Sequence, residues 1–476
     1  MKYLLGFMLI MTDFLFSQQV VGDTLVSQIT PQNVTSINNI LKNKINRPQK
    51  IIFESGKYYF DNVLSTNSDN ILFEFKKGSV IYLKDNVHGF LLIQNDNITV
   101  KNLTLIGNGT SSNSFYEGYG ILVMGSNNTK IRNSKFSKIS GNAIFLYMKG
   151  KTGCRNSIIE NNIISDPAFN ISKNGDESAI LLGYSGDGYF HENNIIRKNI
   201  IDGNNILKVG IGIIGHGRNN TIENNTISNL LAYGIIAYES KYVDNALNGT
   251  KITGNKISNI GEIGNNKTFK GMGIYLQKSH SSLVDSNIIT NVLRNSDRSE
   301  TLGQGAISLG ASANVQATNN SISGSEMYGI VAAYADGSKI FNNKISNVRK
   351  SGIYLINLNN VIIQKNIFTN IQEVVFKGFF GNTKNAIYSQ NKPLMQYRDQ
   401  NTGHGIIISG NTLNAPLAIL NFTGQKTVNN FMGNDIYGNV FKNNIINNPQ
   451  NTVSNSIQFQ FQKDNSNVVK DNKINK

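Results

Sequence analysis

Apolar and polar positions along the chain follow one short unit that returns many times: an apolar residue, two variable ones, Asn, one variable residue and a second apolar residue. It reads Ile159-Glu-Asn-Asn162-Ile-Ile164, Ile196-Arg-Lys-Asn199-Ile-Ile201, Ile222-Glu-Asn-Asn225-Thr-Ile227 and Ile252-Thr-Gly-Asn255-Lys-Ile257. Further copies centre on Asn287, Asn320, Asn343, Asn366, Asn411, Asn439 and Asn472. Two early copies, around Leu103 and Ser134, keep the apolar frame without the Asn. The mean spacing from 103 to 472 is about 31 residues and the shortest is 23. Fourteen residues upstream of the Asn position, many copies carry Gly or Ala followed by alternating apolar residues, as in Gly89-Phe-Leu-Leu, Gly120-Ile-Leu-Val, Gly273-Ile-Tyr-Leu, Ala306-Ile-Ser-Leu, Gly329-Ile-Val-Ala and Gly352-Ile-Tyr-Leu. Period-two alternation predicts short strands, each too small to bury a face alone; stacked on their copies, they share one continuous core. Asn is expected in the tight turns because it tolerates left-handed backbone angles, and its stacked copies are expected to form an amide ladder.

This repeat resembles the right-handed parallel β-helix of the pectate-lyase superfamily, over about residues 50–475. The opening supports the resemblance. Thr35-Ser-Ile-Asn-Asn-Ile-Leu-Lys42 predicts a short capping helix with Thr35 or Ser36 as N-cap. It leads into Ile51-Ile-Phe-Glu-Ser-Gly-Lys-Tyr-Tyr59, similar to the first strand of such helices. The expected fold is all-β: a single right-handed parallel β-helix of about 13 coils, roughly 60 Å long at ~4.8 Å per coil. The expected division is a signal peptide over 1–17, an N-terminal segment and cap over 18–50, and the β-helix over 51–476. Lyases, hydrolases, epimerases and adhesins share this fold, so the resemblance leaves the chemistry open.

The first residues set the expected address. Lys2 precedes an apolar run from Tyr3 to Met11, continued by Phe14, Leu15 and Phe16, with small Ser17 at the expected cleavage position. Such a segment reads as a secretory signal and is too short to span a membrane. Export to the periplasm or beyond is therefore expected, with no membrane insertion of the mature chain. Cys154 is the only cysteine, which excludes an intramolecular disulfide and fits a small buried apolar residue. Charged residues are 16% of the 476, and Lys plus Arg exceed Asp plus Glu by 15. That field favours a polyanionic partner. The lack of clustered Lys/Arg runs, together with the secretory segment, argues against nucleic acid. An anionic polysaccharide is the expected partner and a monomer the expected state.

Candidate chemistry lies where coils exceed the minimum length, because loops on a rigid scaffold carry sites. The long insertions are 108–119, 166–178, 185–193, 239–249, 261–270, 293–303 and 376–403. With the Gly or Ala as position zero, the second and fourth residues point outward. That column holds Phe145 and Tyr147, His216 if Gly212 is zero, Ile236 and Tyr238, Tyr275 and Gln277, Tyr354 and Tyr388. Tyr147, Tyr184, Tyr275, Gln277 and Tyr354 are the candidate sugar-binding residues, since pyranose C–H faces stack on aromatic rings. Gly215-His216-Gly217-Arg218, Tyr238-Glu239-Ser-Lys241 and Lys278-Ser-His280 fall in successive coils. A grouping of His216, Arg218, Tyr238, Glu239, Lys241, Lys278 and His280 suits proton abstraction beside a carboxylate. Cations neutralise a uronate, a base takes its C5 proton, and an acid protonates the departing 4-linked oxygen.

A second chemistry competes for the region. Gly175-Asp176-Glu177-Ser-Ala-Ile180, followed by Gly215-His216-Gly217, is similar to the acidic-pair and Gly-His-Gly elements of polygalacturonase-type glycosidases. That resemblance implies general acid/base roles for Asp176 and Glu177. The family's Asn-Thr-Asp element has no counterpart, for Ser140-Gly-Asn-Ala143 occupies that coil. No zinc-type Cys/His spacing or EF-hand loop occurs, so no cofactor is expected. Calcium on loop carboxylates such as Asp166, Asp176, Glu177 or Asp187 stays open. The leading expectation is a secreted polysaccharide lyase acting by β-elimination. The alternatives are a polygalacturonase-like hydrolase, a C5-epimerase and a non-catalytic glycan-binding rod.

Overall fold

Three short strands make each coil, and left-handed residues turn the chain between them. The computed structural model describes residues 18–85, 87, 89–109, 118–168, 178–183, 190–239, 247–261, 271–292, 304–380, 402–424, 435–450, 456–460 and 466–475. The signal segment 1–17 and most of the long insertions lie outside the described residues. The chain divides into two units, 1–200 and 201–476. No helix among the described residues is long and apolar enough to cross a membrane.

In the first unit, β1 (Gln18–Val21) turns back antiparallel on β2 (Thr24–Ile29), and β2 pairs parallel with β3 (Gln49–Phe53), Leu25 opposite Gln49. Helix α1 (Ser36–Lys42) is an excursion between those two paired strands and buries Ile37, Ile40 and Leu41. Thr35 occupies its N-cap position without a side-chain cap bond. Instead, Ser36 Oγ donates to the Asn33 carbonyl at 2.6 Å. Beyond β3 the three-sheet coil is established. Val100, Ile131, Ile159 and Ile196 stack in register in one sheet. Leu105, Phe136 and Ile164 stack in the second. Leu91, Ile121, Ile144 and Ile180 stack in the third. All of these side chains are buried, which is why the repeat demands an apolar residue at the centre of each strand.

The second unit repeats this plan. Ile222, Ile252, Val284, Ala317, Ile340, Ile363 and Ile408 align in its first sheet. Its third sheet contains β4 (Val209–Ile214), β5 (Tyr233–Tyr238), β6 (Met272–Gln277), β7 (Gly305–Gly310), β8 (Tyr328–Ala333), β9 (Ser351–Ile356), β10 (Val374–Phe380), β11 (Leu420–Gly424) and β12 (Ile457–Gln460). Gly or Ala opens β4–β9, and at the glycines the backbones approach closely. A Cβ on Gly234 would lie 2.5 Å from the Gly273 carbonyl oxygen, closer than any real contact.

The asparagine ladder is present, with two corrections to the reading of the repeat. In the second unit, the side chain of Asn225 donates to Asn255 Oδ1, Asn255 to Asn287, Asn287 to Asn320, Asn320 to Asn343, Asn343 to Asn366 and Asn366 to Asn411, all at 2.9–3.0 Å. The ladder continues from Asn411 to Asn444 and from Asn444 to Asn472. Asn444, not Asn439, is therefore the ladder member of that coil. Asn439 sits one turn earlier, donating to Asn467 Oδ1 at 3.0 Å. The left-handed angle also belongs to the residue before the ladder Asn, as at Asn224 (φ 55°), Asn342 (56°) and Lys365 (55°). In the first unit, Asn162 donates to Asn199, and Ser134 substitutes its hydroxyl for the amide by accepting the Leu103 N–H at 3.2 Å.

Candidate active site

The tyrosines of the second unit's third sheet provide the first part of a site. Register pairs Ile236 with Tyr275 and Tyr238 with Gln277, so the second and fourth residues after Gly234 and Gly273 share the outward face. Tyr233 and Tyr275 stack at 5.8 Å between centroids with an 18° interplanar angle, and Tyr238 lies 6.4 Å from Tyr275. The Tyr275 hydroxyl donates to Gln277 Oε1. Burial, and then the neighbouring phenols of Tyr233 and Tyr238, push the Tyr275 hydroxyl well above its ordinary value of 10.0. It is therefore a protonated phenol throughout the neutral range, fitted to donate rather than to accept.

At the end of these strands the chain turns through left-handed residues, Gly215 (φ 99°) and Lys278 (55°). The corresponding positions after β7, β8 and β9 are Ala311, Tyr334 and Asn357, also left-handed, so coil geometry imposes this conformation whatever the side chain. Here His216 Nε2 meets Glu239 Oε2 at 3.2 Å, with both side chains no more than 3% exposed. A carboxylate on one ring nitrogen fixes the tautomer and orientation of an imidazole. Lys278 is buried beside this turn, its backbone N–H donating to the Gly310 carbonyl at 2.9 Å.

The predicted residues are thus sorted into two groups. Tyr238, Glu239, His216, Tyr275, Gln277 and Lys278 gather at the end of β4–β6. Arg218 and His280 lie past the turn, in a column of two-residue strands where Arg218 pairs with Asn248 and Asn248 with His280. Arg218 is exposed, and His280 Nδ1 accepts the Ala313 N–H at 3.1 Å. His216 does not belong to the outward column: Ile211 pairs with Ile235, which makes Gly210 position zero and puts Gly212 and Ile214 outward. The imidazole is instead drawn to Glu239, and His216 is buried where Arg218 is exposed. Tyr233 was missed because it precedes the Gly from which outward positions were counted.

Elsewhere, Tyr147 of the first unit contacts Phe145 at 5.4 Å, and its carbonyl accepts the buried Cys154 thiol at 3.3 Å. Tyr354 is buried against Tyr328, 4.7 Å between centroids. Asp176, Glu177, Tyr184, Lys241, Tyr388 and Asp187 lie outside the described residues. Among the described residues, no three His, Cys, Asp or Glu side chains gather as a metal site.

Comparison with known proteins bears on the fold. A family model described as right handed beta helix region matches residues 28–240 and 233–418. Compared by sequence, no curated protein matches the chain. A tailspike variant of E. coli bacteriophage HK620, solved with a pentasaccharide, superposes with a TM-score of 0.57 at 11% identity, covering 93% of this chain and 74% of its own. The Streptococcus pneumoniae surface adhesin PfbA gives 0.52 at 15% identity, covering 79% of this chain and 92% of its own. A PL6 family polysaccharide lyase from Pseudopedobacter saltans gives 0.45 at 14% identity, covering 94% and 92%. At these identities the likeness to the tailspike and the adhesin is one of fold.

Proposed function

The chain belongs to the right-handed β-helix family, and from that premise we propose that it is an exported enzyme that cleaves an acidic polysaccharide by β-elimination at the β4–β6 strand ends. The observation that carries this reading is the company Glu239 keeps. Its carboxylate is engaged by His216, and among the described residues the outward positions of β4, β5 and β6 are Gly212, Ile214, Ile236, Tyr238, Tyr275 and Gln277, none of them a second carboxylate. Glycoside hydrolysis needs two opposed carboxyl groups, about 5–9.5 Å apart. Elimination needs one base, one acid and a cation, and candidates for all three stand at this turn.

In this reading His216, oriented by Glu239, takes the C5 proton of a uronate. The electron pair left behind forms the C4–C5 double bond, the C4–O bond breaks, and the Tyr275 phenol protonates the departing oxygen. Lys278 supplies positive charge for the uronate carboxylate, in keeping with the chain's net charge of +15. His216 is only 1% exposed, so the reading requires substrate binding to open a path to its imidazole. The test is ultraviolet absorbance of the unsaturated uronate beside a reducing-sugar assay on a panel of uronate polysaccharides. A rise in both supports elimination. Reducing ends without absorbance mean hydrolysis and sink this mechanism.

A further inference from the structure

Farther along the same outward face of the second unit there is a pocket that the chemistry above does not use. The column runs in register from Tyr275 through Ser308, Val331 and Tyr354 to Lys377, then on to Asn421 and Gln458. Tyr275 and Lys377 are four strand steps apart, roughly 19 Å at ~4.8 Å per step. The cavity at this end has a volume of about 300 Å³, the lower end of the range for small-ligand sites. Lys377, Asn421, Gln458 and Ser456 present polar groups to it, over an aliphatic floor of Val374 and Ala418.

Its electrostatics are specific. Lys377 Nζ lies over two tyrosine rings, 5.3 Å from the centroid of Tyr354 and 5.9 Å from that of Tyr328. Both rings are buried, so the ammonium is held in place rather than swinging in solvent. Glu373 also lines the cavity, but its Oε1 is bound to Lys350 Nζ at 2.7 Å, which offsets its negative charge. The pocket therefore combines one fixed cation, two amides, a hydroxyl and an apolar floor.

We propose that this pocket binds a single acidic sugar unit, separate from bond cleavage. The acid group meets Lys377, the ring hydroxyls meet Asn421, Gln458 and Ser456, and the C–H face rests on the aliphatic floor. The nature of the sugar rests on the acidic-polysaccharide reading above, but binding here is read without turnover, so either can fail alone. Isothermal titration calorimetry on the purified chain tests it with trisaccharides, too short to reach Tyr275: oligogalacturonate, oligomannuronate, a sulfated galactan fragment and neutral cellotriose. An acidic trisaccharide should bind and cellotriose should not; preference for uronates or for the sulfated fragment identifies the acid group. Lys377→Met should weaken binding at least tenfold, about 1.4 kcal/mol, while Lys377→Arg and His216→Asn retain it. Asn421→Ala, which leaves the cation on its rings, should also weaken binding, and circular dichroism confirms that each variant is folded. Equal affinity in wild type and Lys377→Met, cellotriose bound as tightly as the acidic sugars, or no acidic trisaccharide bound by the wild type each overturns the proposal.

Discussion

Replacing Asn343 by Ala tests whether the buried amide ladder, rather than the left-handed turn beside it, holds the coils together. Asn343 makes four side-chain bonds, each at 2.9 Å. Its Nδ2 donates to the Ala317 carbonyl and to Asn366 Oδ1, and its Oδ1 accepts from the backbone and side-chain N–H groups of Asn320. A typical bond contributes about 0.5–1.5 kcal/mol net, and a buried donor left unsatisfied costs about 1–3 kcal/mol. With two Asn320 donors left without an acceptor inside the core, the expected loss is about 3–5 kcal/mol. The control is next door. Asn342 is exposed and left-handed, with φ of 56°, and its side chain donates one solvent-exposed hydrogen bond to Asn319 Oδ1 at 2.7 Å. Gly254 and Gly410 occupy the same position in other coils, so Asn342→Gly should stay within about 0.5 kcal/mol. Repeat arrays need not unfold in one step, so the loss is best read locally, by hydrogen exchange at the Asn320 amide. A loss near 3 kcal/mol speeds that exchange about a hundredfold if it opens locally. Equal effects from Asn343→Ala and Asn342→Gly would refute the argument.

Four further outcomes are expected. Glu239→Gln keeps an acceptor for the imidazole, so it should cut turnover by about a hundredfold or more with little change in melting temperature; parallel loss of both would make the pair structural. Tyr275→Phe should leave the phenolate titration seen by ultraviolet absorbance below pH 10 unchanged, because burial and its tyrosine neighbours keep that hydroxyl protonated beyond the value of 10.0; a missing phenol in that range refutes the raised value. The Cys154 thiol, pushed up to about 12 by burial, should ignore a thiol reagent in the native protein and react once the chain is unfolded. Glu74 is held below its ordinary 4.5 chiefly by the Lys50 hydrogen bond, with Lys101 adding to it; its contribution is complete above that value and is lost as pH falls through the lowered one, so Lys50→Met should flatten the acid limb of stability, and an unchanged limb refutes the assignment.

What could be read from the sequence follows from which positions a coil constrains. A strand centre must fill the core, a ladder position must supply an amide or hydroxyl, and a corner must take a left-handed residue; these demands recur in every coil, so they print a period on the chain. The reading slipped where two such demands look alike. Asn439 and Asn444 are both buried asparagines followed by short apolar strands, and only the hydrogen bonds show that Asn444 continues the ladder. Outward positions bear no such demand, so the pattern marks where chemistry can stand without marking which residue performs it. His216 illustrates this: counting from Gly212 sends it outward, whereas Gly210 is the true position zero and the buried imidazole meets the Glu239 carboxylate. Lys377 escaped for the opposite reason. Its strand carries Val375 where others carry Gly or Ala, so the motif is absent, yet register places it opposite Tyr354 in the same column. A column is thus a better guide to a solenoid's ligand surface than a motif, because neighbouring coils at fixed spacing, not neighbouring residues, bring Tyr354, Lys377 and Asn421 side by side.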